Sequence, residues 1–493
     1  MADSDVKTFA LGDFALQSGE TIPGAFLAYK TFGAPSSPAV IYPTWYSGAI
    51  ADNEWLVGAG KTLDPARYYI IIPALFGNGQ SSSPSNTAAA GRTQHQGQGQ
   101  GQRRPWPRVT FYDNVRAQHE LVTRGLGVGH ARAVLGWSMG AGQTYQWATQ
   151  YPDFMDLAVP FCGSARTSLH NQVFLEGVKS ALLAAKGASS GGVCAGEAGE
   201  AAEHGEYRGW TDEERANGLR ALGRVYAGWG FSQAFYRERV YEAAPTLGFK
   251  GLEEFMVGFW EAWALSKDPE NMLVMLHTWQ AGDCSDQEPY NKDFELAMRS
   301  IKAKMLVLPG QTDLYFPPED SEYEVKCMSP GIGTCVAFPS IWGHWAGGPG
   351  QSTEDVKWLD AKLRVFFGDG AATLTKSLSL KTDVELVAVN TRRGWWRHYE
   401  GEGDATSVEA WIDAIRMGDG AKNKLPAELI VEPQVAKEDV PPAKEEGAEE
   451  SSSFAGTVAD APEPGTETPS EEAPTEAPVE ADAAETPADH DEL

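Results

Sequence analysis

Short apolar runs alternate with amphipathic stretches along the first 160 residues. Residues 40–42 and 69–72 are β-branched or aromatic runs that end near Pro or Gly, and residues 133–135 form a third apolar run. Runs of this length are typical of buried parallel strands. Residues 109–125 place Val115, Leu121 and Val122 on one side, which predicts a helix. Strand patterns return at 304–308 and 334–338, and an amphipathic helix is predicted at 354–367. The alternation indicates an α/β domain with a mostly parallel sheet.

The middle of the chain has a different pattern. Residues 165–300 are rich in Ala, Glu, Trp and Phe, and stretches such as 252–265 carry helical periodicity. We therefore predict a helical cap at 165–300, inserted into a sheet domain made of residues 1–164 and 301–367.

Two further segments follow the sheet domain. Residues 368–431 are predicted to be a small ββα unit, with strand-like runs near 385–389 and 395–399 and a helix through 407–418. Residues 432–493 carry 19 Asp and Glu against two Lys, and so hold 17 of the 28 net negative charges. This Pro-rich acidic composition cannot bury enough apolar area to offset the entropy of ordering, so we expect a disordered tail.

Composition argues against several classes of protein. No basic stripe is available for phosphate backbones, so we expect no nucleic-acid binding. No apolar run reaches the ~18 residues of a membrane span. The five cysteines include no CxxC pair, and no His or Cys cluster has metal-ligand spacing, so neither a zinc site nor disulfide exchange is expected.

The two ends of the sequence point to different compartments. The N-terminal residues lack the basic and apolar regions of a signal peptide, which favours the cytoplasm. The last four residues, His490-Asp491-Glu492-Leu493, match the retention address of the endoplasmic reticulum, so the lumen stays open as an alternative.

Candidate chemistry begins with a GxSxG motif. Gly136-Trp137-Ser138-Met139-Gly140 follows the apolar run 133–135 and precedes the helical stretch AGQTYQWATQ. A serine on such a strand-to-helix turn is held above the sheet as a nucleophile. A second match, Gly187 to Gly191 around Ser189, runs into a Gly-rich loop and is interpreted as a chance occurrence. Ser138 is therefore the predicted nucleophile.

A serine needs a base, and the base needs an orienting acid. Asp313 follows the strand run 304–308, and His344 follows the run 334–338. The order Ser, acid, His is that of enzymes with a strand-turn-helix nucleophile. We therefore predict Ser138, Asp313 and His344 as a catalytic triad at the carboxyl ends of the strands.

Acyl transfer also requires donors for the developing oxyanion. One is predicted to be the backbone N–H of Met139, directly after the nucleophile. The other is expected from the loop after residues 40–42, at the amide of Tyr46, with Trp45 as the alternative.

Residues 5–367 resemble the homoserine O-acetyltransferase family of the α/β-hydrolase superfamily. The resemblance rests on the stretches PALFGNGQSSSPSN, WPRVTFYDNVRAQHELV, GWSMGAGQTYQWATQYPD, LPGQTDLYFPPED and GHWAGG. It implies an α/β-hydrolase fold, an acyl-enzyme on Ser138 and a helical cap over the site. In acetyltransferase members the donor is acetyl-CoA, so acetyl-CoA is a candidate acyl donor and no other cofactor is expected. The family also contains plain hydrolases.

Two positions depart from the biosynthetic members of the family. Those members carry Asp directly after the catalytic His, where this sequence has Trp345. A family Arg after the nucleophile helix is replaced by Lys179. Both changes argue against homoserine as the acceptor. Trp342 and Trp345 flank His344, where they would either line an acyl site or serve as packing residues.

A second resemblance concerns residues 384–430. The stretch WRHYEGEGDATSVEAWIDAI, followed by KNKLPAEL, is similar to the last hairpin and helix of a protein disulfide isomerase thioredoxin domain. The redox half of such a domain is absent from the sequence. Fusion of two unrelated segments would explain the pattern.

The sequence therefore predicts a serine ester hydrolase or O-acyltransferase acting on a small-molecule ester or acyl donor and acceptor. The residues do not distinguish hydrolysis from transfer, and the substrate-binding residues and a homodimer are left open. The alternative is an accessory or binding protein of the endoplasmic reticulum with a non-catalytic hydrolase fold.

Overall fold

A computed structural model describes residues 5–87, 106–186, 209–368, 387–390, 395–399, 405–417, 420 and 422–424. The chain divides into two units, residues 1–431 and 432–493. The predicted disordered tail and Ser189 lie outside the described residues.

An eight-stranded sheet organises the main part of the described chain. Its strands are β1 Lys7–Ala15, β2 Thr21–Phe32, β3 Ala39–Ile41, β4 Tyr69–Pro73, β5 Ala131–Trp137, β6 Met155–Phe161, β7 Lys304–Val307 and β8 Gly333–Cys335. Their order in the sheet is β1-β2-β4-β3-β5-β6-β7-β8. The strands from β4 to β8 in this order pair in parallel, while β1 and β2 form an antiparallel edge. The sheet is therefore mostly parallel, as predicted.

The central strands are apolar on both faces because both faces are covered. Val40 and Ile70 lie in one core cluster, whereas their neighbours Ile41 and Ile71 lie in the other. Successive side chains of a strand point to opposite faces, so a continuous apolar run serves two cores at once. This explains why these strands lack the alternation of a half-exposed sheet.

Two helices before the cap, one at the end of the insertion that precedes β7, and two after β7 flank the sheet. They are α1 Phe111–Glu120, which continues as a π-helical turn at Leu121–Gly125, α2 Met139–Gln150, and, further along, α10 Phe294–Ser300, α11 Pro318–Cys327 and α12 Thr353–Phe366. Helix α1 begins at a capping box. The Thr110 hydroxyl accepts from the Asp113 N–H, and the Asp113 carboxylate accepts from the Thr110 N–H. These contacts satisfy backbone donors that the first turn leaves free, so they fix where α1 starts.

The insertion between β6 and β7 is largely helical. Its helices are α3 Leu169–Ala184, α4 Asp212–Gly230, α5 Gln233–Arg237, α6 Val240–Ala243, α7 Leu252–Phe255, α8 Ala262–Leu265 and α9 Pro269–Gln280, with a π-helical segment Met256–Glu261 joining α7 to α8. Helix α4 buries Leu219, Leu222 and Tyr226 in the same core cluster as the aromatic residues of the other cap helices.

The last part of the insertion, which the prediction of a cap at 165–300 includes, packs against the sheet domain. Cys284, Ala297 and Met298 share a core cluster with Val134 and Met305 of the sheet. Helix α10 therefore packs against the sheet domain. The apolar side of a seven-residue helix does not specify which of two apolar surfaces it will meet, so the pattern alone could not place this boundary.

The described part of the chain beyond residue 386 contains β9 Val387–Asn390, β10 Trp395–His398, α13 Ala405–Met417 and β11 Asn423–Lys424. Strand β10 pairs antiparallel with both β9 and β11. The predicted two strands and helix are present, with β11 as an additional short strand. Among the described residues, no helix combines the length and apolar character needed to cross a bilayer.

Candidate active site

Ser138 occupies a sharp turn between β5 and α2. Its φ of 57° and ψ of −123° are uncommon for a residue with a side chain, and such a conformation costs about 1–3 kcal/mol. A Cβ atom on Gly136 would lie 2.2 Å from the carbonyl oxygen of Gly140, and one on Gly163 would lie 2.5 Å from that of Ser138. The turn therefore leaves no room for a side chain at Gly136, the first glycine of the motif, and Gly163 allows the segment after β6 to approach the turn closely.

Ser138, His344 and Asp313 are connected by hydrogen bonds. The Oγ of Ser138 lies 2.8 Å from Nε2 of His344, and Nδ1 of His344 lies 2.8 Å from Oδ2 of Asp313. All three residues are buried. The structure thus brings together three side chains that are separated by 175 and 31 positions in the chain.

The Asp313 carboxylate is fixed by the loop that follows β7. Its Oδ1 accepts hydrogen bonds from the backbone N–H of Tyr315 at 2.8 Å and of Phe316 at 3.2 Å. The other carboxylate oxygen, Oδ2, faces Nδ1 of the His344 imidazole. An acid held in this way orients the histidine ring and selects the tautomer that carries its proton on Nδ1.

The His344 ring is positioned by its neighbours rather than by its own short turn, Gly343–Trp345. It stacks on Trp137 with ring centroids 4.9 Å apart, and Tyr315 meets it edge-on at 4.7 Å. The Trp137 indole N–H also donates to the His344 carbonyl over 3.1 Å. Trp137, the residue directly before Ser138, therefore holds both the ring and the backbone of His344 in place.

The two segments predicted to supply oxyanion donors are clamped together by Gln143. Its side-chain amide, on α2, donates to the carbonyl oxygens of Thr44 at 2.8 Å and Met139 at 3.1 Å. The Asn53 side chain holds the other side of the loop by donating to the carbonyls of Tyr42 and Pro43. The loop after β3 therefore has a fixed position relative to the start of α2.

Electrostatics favours the serine over the nearby thiol as a nucleophile. Cys162 is fully buried, and its pKa is raised well above the ordinary value by burial and then by the negative charge of Asp313. The thiol is consequently protonated near neutral pH, and a protonated thiol is a poor nucleophile. No cluster of three potential metal-ligating side chains occurs in the described part of the chain.

Two relatives of known class cover most of this chain, and a third covers about a third of it. An ethyl acetate hydrolase of Pseudomonas veronii is 34% identical over 357 residues, which are 72% of this chain and 93% of the relative. The crystal structure of an acetylester hydrolase from Corynebacterium glutamicum matches with a TM-score of 0.64 and 31% identity, covering 73% of this chain and 95% of that one. A homoserine O-acetyltransferase of Caulobacter vibrioides is 36% identical over 188 residues, which are 34% of this chain and 46% of the relative.

The chain belongs to the esterase and homoserine O-acetyltransferase family of the α/β-hydrolase superfamily. It is therefore an enzyme, and the fold predicted from its sequence is confirmed. Residues 367–420 separately match the family model "PDIA6-like, C-terminal thioredoxin-like domain". That match agrees with the predicted resemblance and is confined to a short fragment.

The two departures from the biosynthetic members of this α/β-hydrolase family have distinct structural settings. Trp345 is buried and packs against Trp260 at 5.1 Å and Phe231 at 5.0 Å, so the position after His344 presents an aromatic ring in place of a carboxylate. Lys179 lies on α3, where its ammonium group pairs with Glu176 at 3.0 Å.

Sequence reasoning missed the residues that support the site. Gln143 and Asn53 donate to backbone carbonyls of the loop after β3, and these contacts leave no pattern in the sequence. Trp137 occupies a variable position of the GxSxG motif, so the motif does not indicate its contact with His344. The sequence signal for Gln143 was weak, because it consists only of a polar residue one turn into the helix that follows the nucleophile.

Proposed function

We propose that this enzyme hydrolyses esters of short carboxylic acids through an acyl-enzyme on Ser138. The observation that carries the proposal is the continuous hydrogen-bonded series from Ser138 Oγ through His344 to Asp313, with both contacts at 2.8 Å.

The first half of the reaction forms the acyl-enzyme. Ser138 Oγ attacks the ester carbonyl carbon while Nε2 of His344 takes the hydroxyl proton. The carbonyl oxygen becomes an oxyanion, for which we propose the backbone N–H groups of Met139 and Tyr46 as donors. The tetrahedral intermediate then expels the alcohol, which receives the proton from Nε2. Asp313 remains ionised and stabilises the imidazolium that forms on the way.

The second half releases the acid. A water molecule loses a proton to Nε2 and attacks the acyl carbon, and collapse of the second intermediate returns the proton to Ser138 Oγ. The carboxylic acid leaves and the free enzyme is restored. In a transferase the acceptor hydroxyl would replace this water, with the same residues in the same roles.

Two observations favour hydrolysis of short esters. Two relatives that are more than 30% identical and align over nearly their whole length are an ethyl acetate hydrolase and an acetylester hydrolase, whereas a probable acyltransferase aligned over 93% of its length is 26% identical. In addition, the rings around His344 are bulky and aromatic, and belong to Trp137, Tyr315, Phe316 and Trp345. No carboxylate stands after His344 to bind the amine of an amino-acid acceptor.

A direct test compares Ser138→Ala with the wild type on 4-nitrophenyl acetate and ethyl acetate. We expect turnover to fall on the order of 10³-fold or more while the melting temperature is preserved. Ser300→Ala is the matched control, because that hydroxyl, at the end of α10, contacts Tyr290 and should not affect the rate. Full activity of Ser138→Ala would refute the assignment.

The acceptor is tested separately with acetyl-CoA and L-homoserine. We expect free acetate and little O-acetylhomoserine. Efficient formation of O-acetylhomoserine would overturn the proposed hydrolysis while leaving the acyl-enzyme on Ser138 intact.

A further inference from the structure

Four aromatic side chains from separate segments form a closed ring of contacts beside His344, and we call them the aromatic quartet. Tyr46 stacks on Tyr226 at 5.8 Å, Tyr226 meets Tyr315 at 5.4 Å, Tyr315 meets Trp279 at 5.7 Å, and Trp279 returns to Tyr46 at 5.7 Å. Tyr315 also touches the His344 ring. The quartet therefore joins the loop after β3 and two cap helices to the reacting histidine.

The polar atoms of the quartet are not equivalent. The Tyr315 hydroxyl donates to the carbonyl oxygen of Tyr226 at 3.2 Å. By contrast, the Tyr46 hydroxyl and the Trp279 indole N–H are buried without any hydrogen-bond partner among the residues that the structure describes. Both side chains are at most 1% exposed.

An unpaired buried donor is costly. Leaving such a group without a partner destabilises a fold by about 1–3 kcal/mol, so each instance calls for an explanation. Two instances in one contacting pair of rings, within a quartet that reaches His344 through Tyr315, point to a ligand that supplies an acceptor. The Tyr46 phenol is suited to donate, because burial, followed by the proximity of Tyr226, raises its pKa well above 10 and keeps it neutral.

We propose that the Tyr46 hydroxyl, with the Trp279 N–H beside it, donates a hydrogen bond to a second oxygen of the substrate, distinct from the ester carbonyl that reacts. The preferred substrates are then small esters that carry an ether, keto or hydroxyl oxygen in their alcohol or acyl part. This inference rests on the proposed ester hydrolysis and specifies its substrate class.

Selectivity follows from the surroundings of the donor. Within an aromatic enclosure, a hydrocarbon substrate would leave the buried Tyr46 hydroxyl without a partner, whereas an oxygenated one would satisfy it. Sites built to hydrogen-bond a substrate group discriminate strongly against analogues that lack it, because the buried donor is then left unpaired. The quartet would therefore act as a selectivity element, separate from the backbone N–H of Tyr46 proposed for the oxyanion.

The test uses ester pairs that differ by one oxygen in place of a methylene. On the alcohol side the pair is 2-methoxyethyl acetate and butyl acetate, and on the acyl side it is ethyl methoxyacetate and ethyl butanoate. The wild type should favour the oxygenated member of at least one pair by about tenfold or more in kcat/KM. Tyr46→Phe, which keeps the ring and the backbone N–H, should remove that preference by slowing only the oxygenated ester.

Tyr42→Phe is the matched control. Tyr42 also buries a hydroxyl without a partner among the described residues, yet in that part of the chain its ring does not pair with the aromatic rings of the quartet or with His344. Its kcat/KM values should equal those of the wild type. The inference is overturned if neither pair is discriminated, or if Tyr46→Phe leaves both members unchanged or slows both equally. Ser138→Ala, assayed in parallel, separates this outcome from failure of the proposed function, because only the latter predicts an active Ser138 variant.

Discussion

The side-chain amide of Gln118 donates to Oε1 of Gln143 over 2.6 Å, and both residues are buried. Gln118 in turn accepts from the indole N–H of Trp147 at 2.9 Å. This buried series ends at the amide group of Gln143, which donates to the Thr44 and Met139 carbonyls. A polar network inside the core thus fixes the two segments that would stabilise the oxyanion.

Gln143 is expected to be a positioning residue. Gln143→Leu would remove the donors to Thr44 and Met139, so the backbone N–H groups of the candidate oxyanion site would lose their alignment. A small displacement of such donors is costly, and we expect kcat to fall about 10- to 100-fold with little change in KM.

Gln118→Leu is the control for this prediction. It removes the hydrogen bond between Gln118 and Gln143, so Gln143 Oε1 is left unpaired. The Gln143 side-chain NH₂ group that donates to the Thr44 and Met139 carbonyls is retained. Both variants should lose stability, on the order of 1–3 kcal/mol in urea denaturation. Equal losses of kcat in the two variants would show that stability alone explains the effect.

Asp313→Asn should inactivate the enzyme without unfolding it. The carbonyl oxygen of the introduced amide could still accept from the Tyr315 and Phe316 N–H groups, but its NH₂ group would donate to Nδ1 of His344. The imidazole proton would then move to Nε2, facing Ser138, and His344 could not act as the base. We expect a loss of kcat on the order of 10³- to 10⁴-fold, as judged by ester hydrolysis at pH 7. A variant that retains a tenth of the activity would contradict the proposed role.

Trp345 should limit the size of the acyl group. Its indole packs between Trp137 and Trp260 directly after His344, so a smaller side chain would open space beside the imidazole. Trp345→Leu is expected to shift the preference among 4-nitrophenyl esters from acetate towards hexanoate, measured as the ratio of kcat/KM values. Trp358→Leu, on α12 against Phe338, is the control and should leave that ratio unchanged. An unaltered ratio in Trp345→Leu would place the acyl group elsewhere.

The parts of this molecule that could be predicted are those with a local signature. Ser138 is identifiable from a glycine motif between an apolar strand and a helix, and Asp313 and His344 from their positions just after strands. The strand β6, by contrast, was missed although its residues are as apolar as those of β5. Pro160 lies within this run, and a proline inside an apolar run argues against a central strand.

Contacts between distant segments could not be predicted in the same way. Gln143 meets Thr44 across 99 positions of the chain, and Tyr46 stacks on Tyr226 across 180. Nothing in the neighbouring residues encodes such a partner, because the contact depends on how the cap and the loop after β3 are brought together. The limits of the cap could not be predicted for the same reason, since α10 is amphipathic whichever core it joins.

Glu324 should make the stability of this enzyme depend on pH. Its carboxylate lies buried on α11, where it accepts from the Tyr145 hydroxyl and the Ala165 N–H, each at 2.6 Å. Burial raises the pKa of Glu324 from 4.5 to about 8, although the two hydrogen bonds act in the opposite direction. The folded state therefore binds this proton more tightly than the unfolded state does. The resulting stabilisation is complete below about pH 4.5 and is lost as pH rises towards 8.

Replacing Glu324 by Gln should remove this dependence, because the amide resembles the protonated acid: its oxygen can accept from Ala165 and its NH₂ group can donate to Tyr145. The free energy of unfolding of the wild type should fall relative to that of Glu324→Gln between pH 5 and 8, by an amount on the order of 2–4 kcal/mol. Urea denaturation at constant ionic strength measures the difference at each pH, so titration of other groups cancels. Glu322→Gln, on the exposed side of the same helix, should instead follow the wild type. If the free energies of unfolding of the wild type and Glu324→Gln changed with pH in parallel, Glu324 would have the same pKa in the folded and unfolded states. The hydrogen bonds from Tyr145 and Ala165 would then cancel the effect of burial on that pKa.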